Sequence, residues 1–211
     1  MSELLHSVEH GTSARVVAKL LRVLLPDACT VLDATYSRGK FWTERPAHVR
    51  VIGLDIDPAT RATVRGDFTR LPFRDASVDV VVFDPPYICD PGRGKPGVMS
   101  SRFGAYASVE EMRAAVEAGC REAWRVARIG VIVKTQDHVH NSRKVWMSAW
   151  VSGTMPAEEY DRVHLVTRQK VIASSWTQGQ LSAWSNATTW QVFRKDGPVH
   201  KRRRPALGVA S

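Results

Sequence analysis

Long apolar runs are missing from this chain of 211 residues. No stretch approaches the ~20 residues that a membrane-spanning helix needs, so no membrane association is expected. The first residues, MSELLHSVEHGTS, are acidic and polar, with no basic stretch ahead of an apolar one, so no export signal is expected either. Cysteine is scarce: Cys29, Cys89 and Cys120 lie far apart, and none belongs to a CxxC pair. That spacing argues against a disulfide framework, a zinc site or thiol exchange; it favours a reducing cytoplasm and no metal. Internal repeats are absent, which argues against a solenoid or propeller.

What is present looks like an ordinary folded domain, with 44% hydrophobic and 24% charged residues and neither a disordered nor a fibrous bias. Lys and Arg outnumber Asp and Glu by 30 to 21, a formal charge of +9. An excess of that size favours encounter with polyanions, so DNA or RNA is the first candidate partner. Part of the excess sits in Lys201, Arg202, Arg203 and Arg204. The expected division is one domain over residues 1–195 followed by a basic, disordered tail over 196–211, where Pro, Gly and basic residues replace apolar ones.

Val16, Val17, Leu20, Leu21 and Leu24 recur at helical spacing behind Thr12 and Ser13, predicting an amphipathic helix over 13–25 that Pro26 ends. Short, nearly unbroken apolar runs follow at 30–33, 51–55, 78–83 and 129–133, the pattern of parallel strands buried on both faces. Between the last two, residues 108–126 read as a helix with a Ser108 cap and Glu111 three residues on. Alternation of strand and helix predicts an α/β fold, a doubly wound and mostly parallel sheet. A helix is expected over 142–151, then strands over 162–172 and 189–194 forming a terminal hairpin on the sheet edge. Their connector, 173–188, is polar and carries two of the seven tryptophans.

Ligands of such sheets gather at the carboxyl ends of the strands, and here those ends carry polar residues in order. Asp33 to Gly39 is a turn in which Gly39 would permit close backbone approach of a cofactor. Asp55 ends the second strand about twenty residues later, the separation at which a carboxylate meets ribose hydroxyls. Asp67 and Phe68 follow an expected third strand and suit an adenine amino group and ring. Taken singly, each acid is as well explained as a helix cap or a solvated loop charge. The most specific signal is Asp84-Pro85-Pro86-Tyr87 after the apolar run. Two prolines cannot continue a sheet and hold φ fixed, so the neighbouring carbonyls point in set directions. Asp84 and the Pro85 carbonyl can accept both N–H bonds of an amino group, and Tyr87 offers a face for a base. The loop 88–107 is long for a connection inside a domain. Its Arg93, Lys95 and Arg102 are candidates for phosphate contacts, with Phe103 and Tyr106 for stacking. Lys134 and His138 are read as structural or solvent-exposed.

On these residues the chain resembles the amino-methyltransferases of the Rossmann-like class, whose motif is (Asp/Asn/Ser)-Pro-Pro-(Tyr/Phe/Trp) and which modify adenine N6 or cytosine N4 of DNA, with relatives acting on RNA. The resemblance runs from about Ser13 to Phe193. It implies a class I methyltransferase fold with an antiparallel terminal strand and S-adenosylmethionine as cofactor. It assigns Asp33, Ala34, Thr35, Ser37 and Gly39 to the methionine moiety, Asp55 and Ile56 to the ribose side, and Asp67 and Phe68 to the adenine. Asp84, Pro85, Pro86 and Tyr87 fall to the target base, with Asp84 also bordering the cofactor. Ser37 stands where the family has the first glycine of Gly-x-Gly. No inserted target-recognition domain is present, so recognition falls to the loop 88–107, the tryptophan-bearing connector or a partner protein. Adenine N6 in DNA is the first expectation, with cytosine N4 or an amino group in RNA beside it. A noncatalytic nucleic-acid-binding subunit of the same fold is the alternative of another class.

Overall fold

The computed structural model describes residues 4–89, 105–166 and 187–195. In chain order these form β1 (Val8–His10), α1 (Ser13–Leu24), β2 (Thr30–Asp33), β3 (Arg50–Asp55), β4 (Val64–Arg65) and β5 (Val78–Phe83). They continue as α2 (Val109–Val126), β6 (Ala127–Thr135), β7 (His138–His140), β8 (Arg143–Val145), α3 (Met147–Thr154), β9 (Glu159–Val166) and β10 (Ala187–Arg194).

Eight strands make one sheet in the order β1-β9-β10-β6-β5-β2-β3-β4. β2 pairs in parallel with β3 and β5, β5 with β6, and β3 with β4. β10 is antiparallel to both its neighbours, β6 and β9. The expected doubly wound, mostly parallel sheet with an antiparallel terminal strand is therefore present. Its hairpin differs in one respect from the edge arrangement expected, because β10 inserts between β6 and β9 and leaves β9 and β1 outside it. Burial explains the order. β10 is buried on both faces, with Trp190 and Val192 on one side and Gln191 and Phe193 on the other, all fully buried. β9 alternates half-exposed with buried residues, as suits an outer strand.

α1 covers one face of the sheet. Its side chains Val16, Val17, Leu20 and Leu21 pack with Val31, Val80, Val82, Trp190 and Val192. Thr12 caps it by accepting the Arg15 N–H at 3.2 Å, an arrangement typically worth about 1 kcal/mol. The other face packs α2 and α3, through Met112, Val116, Cys120, Ala123, Met147 and Val151, against Leu32, Val81, Phe83, Val131 and Val133. Ser108 caps α2 through the Glu111 N–H at 3.1 Å, and Glu111 reaches back to the Ala107 N–H. The spacing had predicted both signals.

Two expectations fail locally. The helix expected over 142–151 is instead β8 followed by α3. Asn141 and Ser142 take positive φ, 47° and 62°, and turn β7 into β8 as a two-residue hairpin, so the helix starts only at Met147. Strand–helix alternation also stops at one side of the sheet. From 34 to 77 the only helical segment is a single 3-10 turn, Lys40–Trp42. Pro46 interrupts the first of these connections, and the second, from 56 to 63, has only eight residues.

Candidate active site

β2 lies between β3 and β5, so the residues at the three carboxyl ends are drawn together. The first is Asp33, only 1% exposed. One of its oxygens accepts the Thr35 N–H at 3.0 Å and the other accepts Trp42 Nε1–H at 2.7 Å. Its carboxyl is pushed up to about 7: burial raises it most, the two donors pull it back, and the charges of Asp84 and Asp55 raise it again. The second is Asp55, whose oxygens accept the Ser37 N–H at 2.7 Å and the Asp57 N–H at 2.9 Å. Each oxygen keeps a second lone pair for a ligand. Ile56, the next residue, is 66% exposed, an apolar surface presented at the mouth of the site.

The third is Asp84, and here the chain joins its two motifs. The Asp84 N–H donates to Thr35 Oγ1 at 2.9 Å, and Ala34, buried, donates its N–H to the Val82 carbonyl at 2.9 Å. The loop after β2 and the tetrapeptide after β5 are thereby held as one unit. Lys134 Nζ, from β6, lies 2.8 Å from Asp84 Oδ2, and the two side chains are 14% and 22% exposed. Burial raises the Asp84 carboxyl above its ordinary value, and Lys134 opposes that rise. The ammonium also sits over the rings of Phe41 and Trp190, 5.2 and 5.8 Å from their centroids. The sequence singles out Lys134 only as structural or solvent-exposed and does not reveal its pairing with Asp84. Lys134 stands 50 positions from Asp84, and only the parallel pairing of β5 with β6 brings the two together.

Ser37, at the family's first glycine position, adopts φ 48°. The left-handed turn that glycine favours is thus kept with a side chain in place, at some strain. Gly39 is also left-handed, at φ 64°, but the room it leaves is occupied by Tyr36, whose hydroxyl would lie 2.5 Å from an added Cβ. The glycine expected to admit a cofactor serves here to admit that tyrosine.

Asp67 is exposed and accepts the Thr69 N–H at 2.8 Å. Phe68 packs on Phe83, ring centroids 5.1 Å apart, with Gly119 so near that a Cβ there would reach Phe83 at 2.4 Å and Phe68 at 2.9 Å. Tyr87 is half-buried and stands 5.9 Å from the His138 ring. His138 Nδ1 lies 3.1 Å from the Gln136 carbonyl, while its Nε2 is buried without a partner among the described residues. Tyr106 donates its N–H to the Ile88 carbonyl at 2.9 Å and bridges to Cys89. The two ends of the long loop therefore meet beside the tetrapeptide. Burial, with Asp67 and Glu111 nearby, pushes the Tyr106 phenol up to about 12. Arg93, Lys95, Arg102 and Phe103 lie outside the described residues, as do the tryptophan-bearing connector and the tail. Among the described residues no cluster of His, Cys, Asp and Glu suits a metal ion, and no helix is long and apolar enough to cross a membrane.

No protein-family model matches the sequence, and no curated protein matches it. Solved structures do match. A putative sarcosine dimethylglycine methyltransferase from Galdieria sulphuraria is 11% identical, with 85% of each chain covered and a TM-score of 0.50. A protein from Pyrococcus horikoshii OT3 is 15% identical over 85% of this chain and 90% of that one, at 0.47. An amino pentose methyltransferase from Micromonospora echinaspora, solved with S-adenosylmethionine bound, is 21% identical at 0.35. That match spans 59% of this chain and half the length of the other. At these identities the likeness is one of fold, and the fold is that of the class I methyltransferases.

Proposed function

We propose that the protein transfers a methyl group from S-adenosylmethionine to an exocyclic amino group of a nucleic-acid base, with adenine N6 in DNA as the first candidate and cytosine N4 or an RNA amino group next. The observation that carries this reading is the hydrogen bond from the Asp84 N–H to Thr35 Oγ1. It ties a tetrapeptide suited to an amino group directly to a loop suited to a cofactor.

The residues present fit the cofactor. The charges of Asp84 and Asp55 disfavour ionisation of the buried Asp33, and a ligand that brings an ammonium and a sulfonium relieves that repulsion. Asp55 has lone pairs left for two ribose hydroxyls, and Ile56 and Phe68 supply apolar contact for an adenine. When bound, the cofactor supplies an electrophilic methyl group on a cationic sulfur.

The chain's own residues would act on the amino group. Lys134 holds Asp84 Oδ2, leaving Oδ1 and the Pro85 carbonyl to accept its two N–H bonds and to aim the nitrogen lone pair. Tyr87 stacks on the base, which must leave a duplex to arrive there; unstacking costs a few kcal/mol, which stacking worth about 1–3 kcal/mol helps to offset. Tyr87→Ala should lower activity strongly and Tyr87→Phe should retain much of it, as read from methyl transfer at fixed substrate. The deciding experiment is transfer of labelled methyl from S-adenosylmethionine to DNA and RNA pools, followed by nucleoside analysis. Label in N6-methyladenine supports the first candidate, and label in another amino-methylated base reassigns the substrate. Calorimetric binding of the cofactor without transfer to either pool would leave the noncatalytic reading.

A further inference from the structure

On the sheet face that α1 packs, beside β3, a cavity of about 470 Å³ opens to the surface. It lies where strand–helix alternation fails. Tyr36 forms one wall, lying across Gly53 so closely that an added Cβ would come within 2.4 Å of its ring. Trp42 forms another, held by its bond to Asp33. The outer wall is the turn at residues 45–49, closed by the Val49 N–H on the Pro46 carbonyl at 3.0 Å. Arg45, His48 and Arg50 line the cavity, and no acidic residue does. Arg45 is anchored through its Nη1 on the Val49 carbonyl, leaving its other donors free to point elsewhere. His48 and Arg50 are exposed, and their side chains hold no partner among the described residues.

We propose that this cavity is a contact site for the sugar–phosphate backbone of the strand whose base is presented at Asp84. The proposal rests on the nucleic-acid reading of the active site and adds to it a surface that no motif marked. Three basic side chains around an acid-free cavity complement a phosphodiester, and a partly fixed guanidinium is preorganised for one. Tyr36 offers an aromatic face beside the charge. Arg50 begins β3 and Asp55 ends it at the carboxyl edge of the sheet, five steps of about 3.3 Å or roughly 16 Å away, and Asp84 stands two strands further across that edge. The nucleotide held here is therefore a different one from the target. Phosphate contacts at that separation set the position of the strand without reading its sequence.

The test uses the full chain, a fluorescein-labelled 20-nucleotide single strand of DNA and its RNA equivalent, and anisotropy titrations over a salt series. The double variant His48→Glu/Arg50→Glu should bind roughly tenfold more weakly, with a log–log salt slope shallower by about 1. Its calorimetric affinity for S-adenosylmethionine should match the parent's, which also reports that it is folded. In methyl transfer it should show a raised KM for nucleic acid and an unchanged kcat, and Arg50→Lys should restore most of the affinity. If the parent binds and methylates the strand and the double variant does so equally well with the same slope, the cavity is not a backbone site and the methyltransferase reading stands. If the parent binds neither strand at any salt, the nucleic-acid reading falls and this proposal falls with it.

Discussion

The two sides of the sheet are built from similar apolar strands and end in different states. At β5 and β6, α2 and α3 cover one face and α1 the other, and all six residues of β5 are buried. At β3 and β4 no helix among the described residues arrives, Val51 and Ile52 stay half-exposed, and Arg50 and Arg65 are exposed outright. The covered side gives the tetrapeptide a fixed base from which Asp84, Pro85 and Tyr87 project. The uncovered side has little core to lose, and it keeps charge and an open cavity where a helix would have packed. In this chain the firmly based tetrapeptide and the open basic surface lie on opposite sides of one sheet.

The largest test of that contrast is in the core. Phe83→Ala should cost about 3–5 kcal/mol, since it removes a fully buried ring packed on Phe68. Ile52→Ala, half-buried at the other side, should cost roughly 1–2 kcal/mol. Chemical denaturation of both variants checks this, and equal losses would abolish the distinction. Next, Asp84→Asn should lower kcat by about 10²-fold or more, because an amide that keeps its oxygen on Lys134 turns N–H donors, and no acceptor, toward the target nitrogen. Cofactor affinity should hold, and Lys134 keeps an oxygen to pair with, which Asp84→Ala would deny it. Asp84→Ala should therefore also lower the melting temperature.

A third test concerns pH. Asp33 titrates at about 7 in the folded chain, above the ordinary carboxylate value near 4. Between those values the folded state holds a proton that the unfolded state has released. The ligand-free protein should therefore lose stability as pH rises from about 4 to 7, with the full loss present above 7. Asp79 and Glu122 are shifted downward by their hydrogen bonds. Their contribution has the opposite sign and is lost only as pH falls below the ordinary carboxylate range. Melting temperatures at pH 5 and 8 check the Asp33 effect, and S-adenosylmethionine affinity should rise as pH passes 7 because the ionised carboxylate favours a cationic ligand. Trp42→Phe removes a donor to Asp33 and should move both effects to higher pH.

The smallest expected effect is at Ser37. Ser37→Gly relieves a side chain from φ 48° and should stabilise the protein by up to about 1 kcal/mol, read as a rise of a few degrees in melting temperature. A loss of stability would mean that the serine hydroxyl does something the backbone geometry does not reveal.

Much of the fold was legible because its signals are local. The unbroken valines of 78–83, the helical spacing of 13–24 and the Ser108–Glu111 cap each need only neighbouring residues to be recognised. The tetrapeptide was legible for the same reason: two prolines after a strand restrict the backbone wherever they occur. The β7–β8 hairpin was not, since Asn141-Ser142 is an uncommon left-handed pair that reads equally well as a helix start.

Other features have no local cause at all. That β10 enters the sheet between β6 and β9 depends on which strand is buried on both faces. That Lys134 meets Asp84 depends on the register of β5 against β6. The cavity beside β3 exists because two connections are too short or too interrupted to make a helix, and because Tyr36 folds over Gly53 instead. Local chemistry therefore specified the elements and the reactive tetrapeptide. Packing across the sheet decided which charges face each other, because strand order and register place residues 50 positions apart within 3 Å.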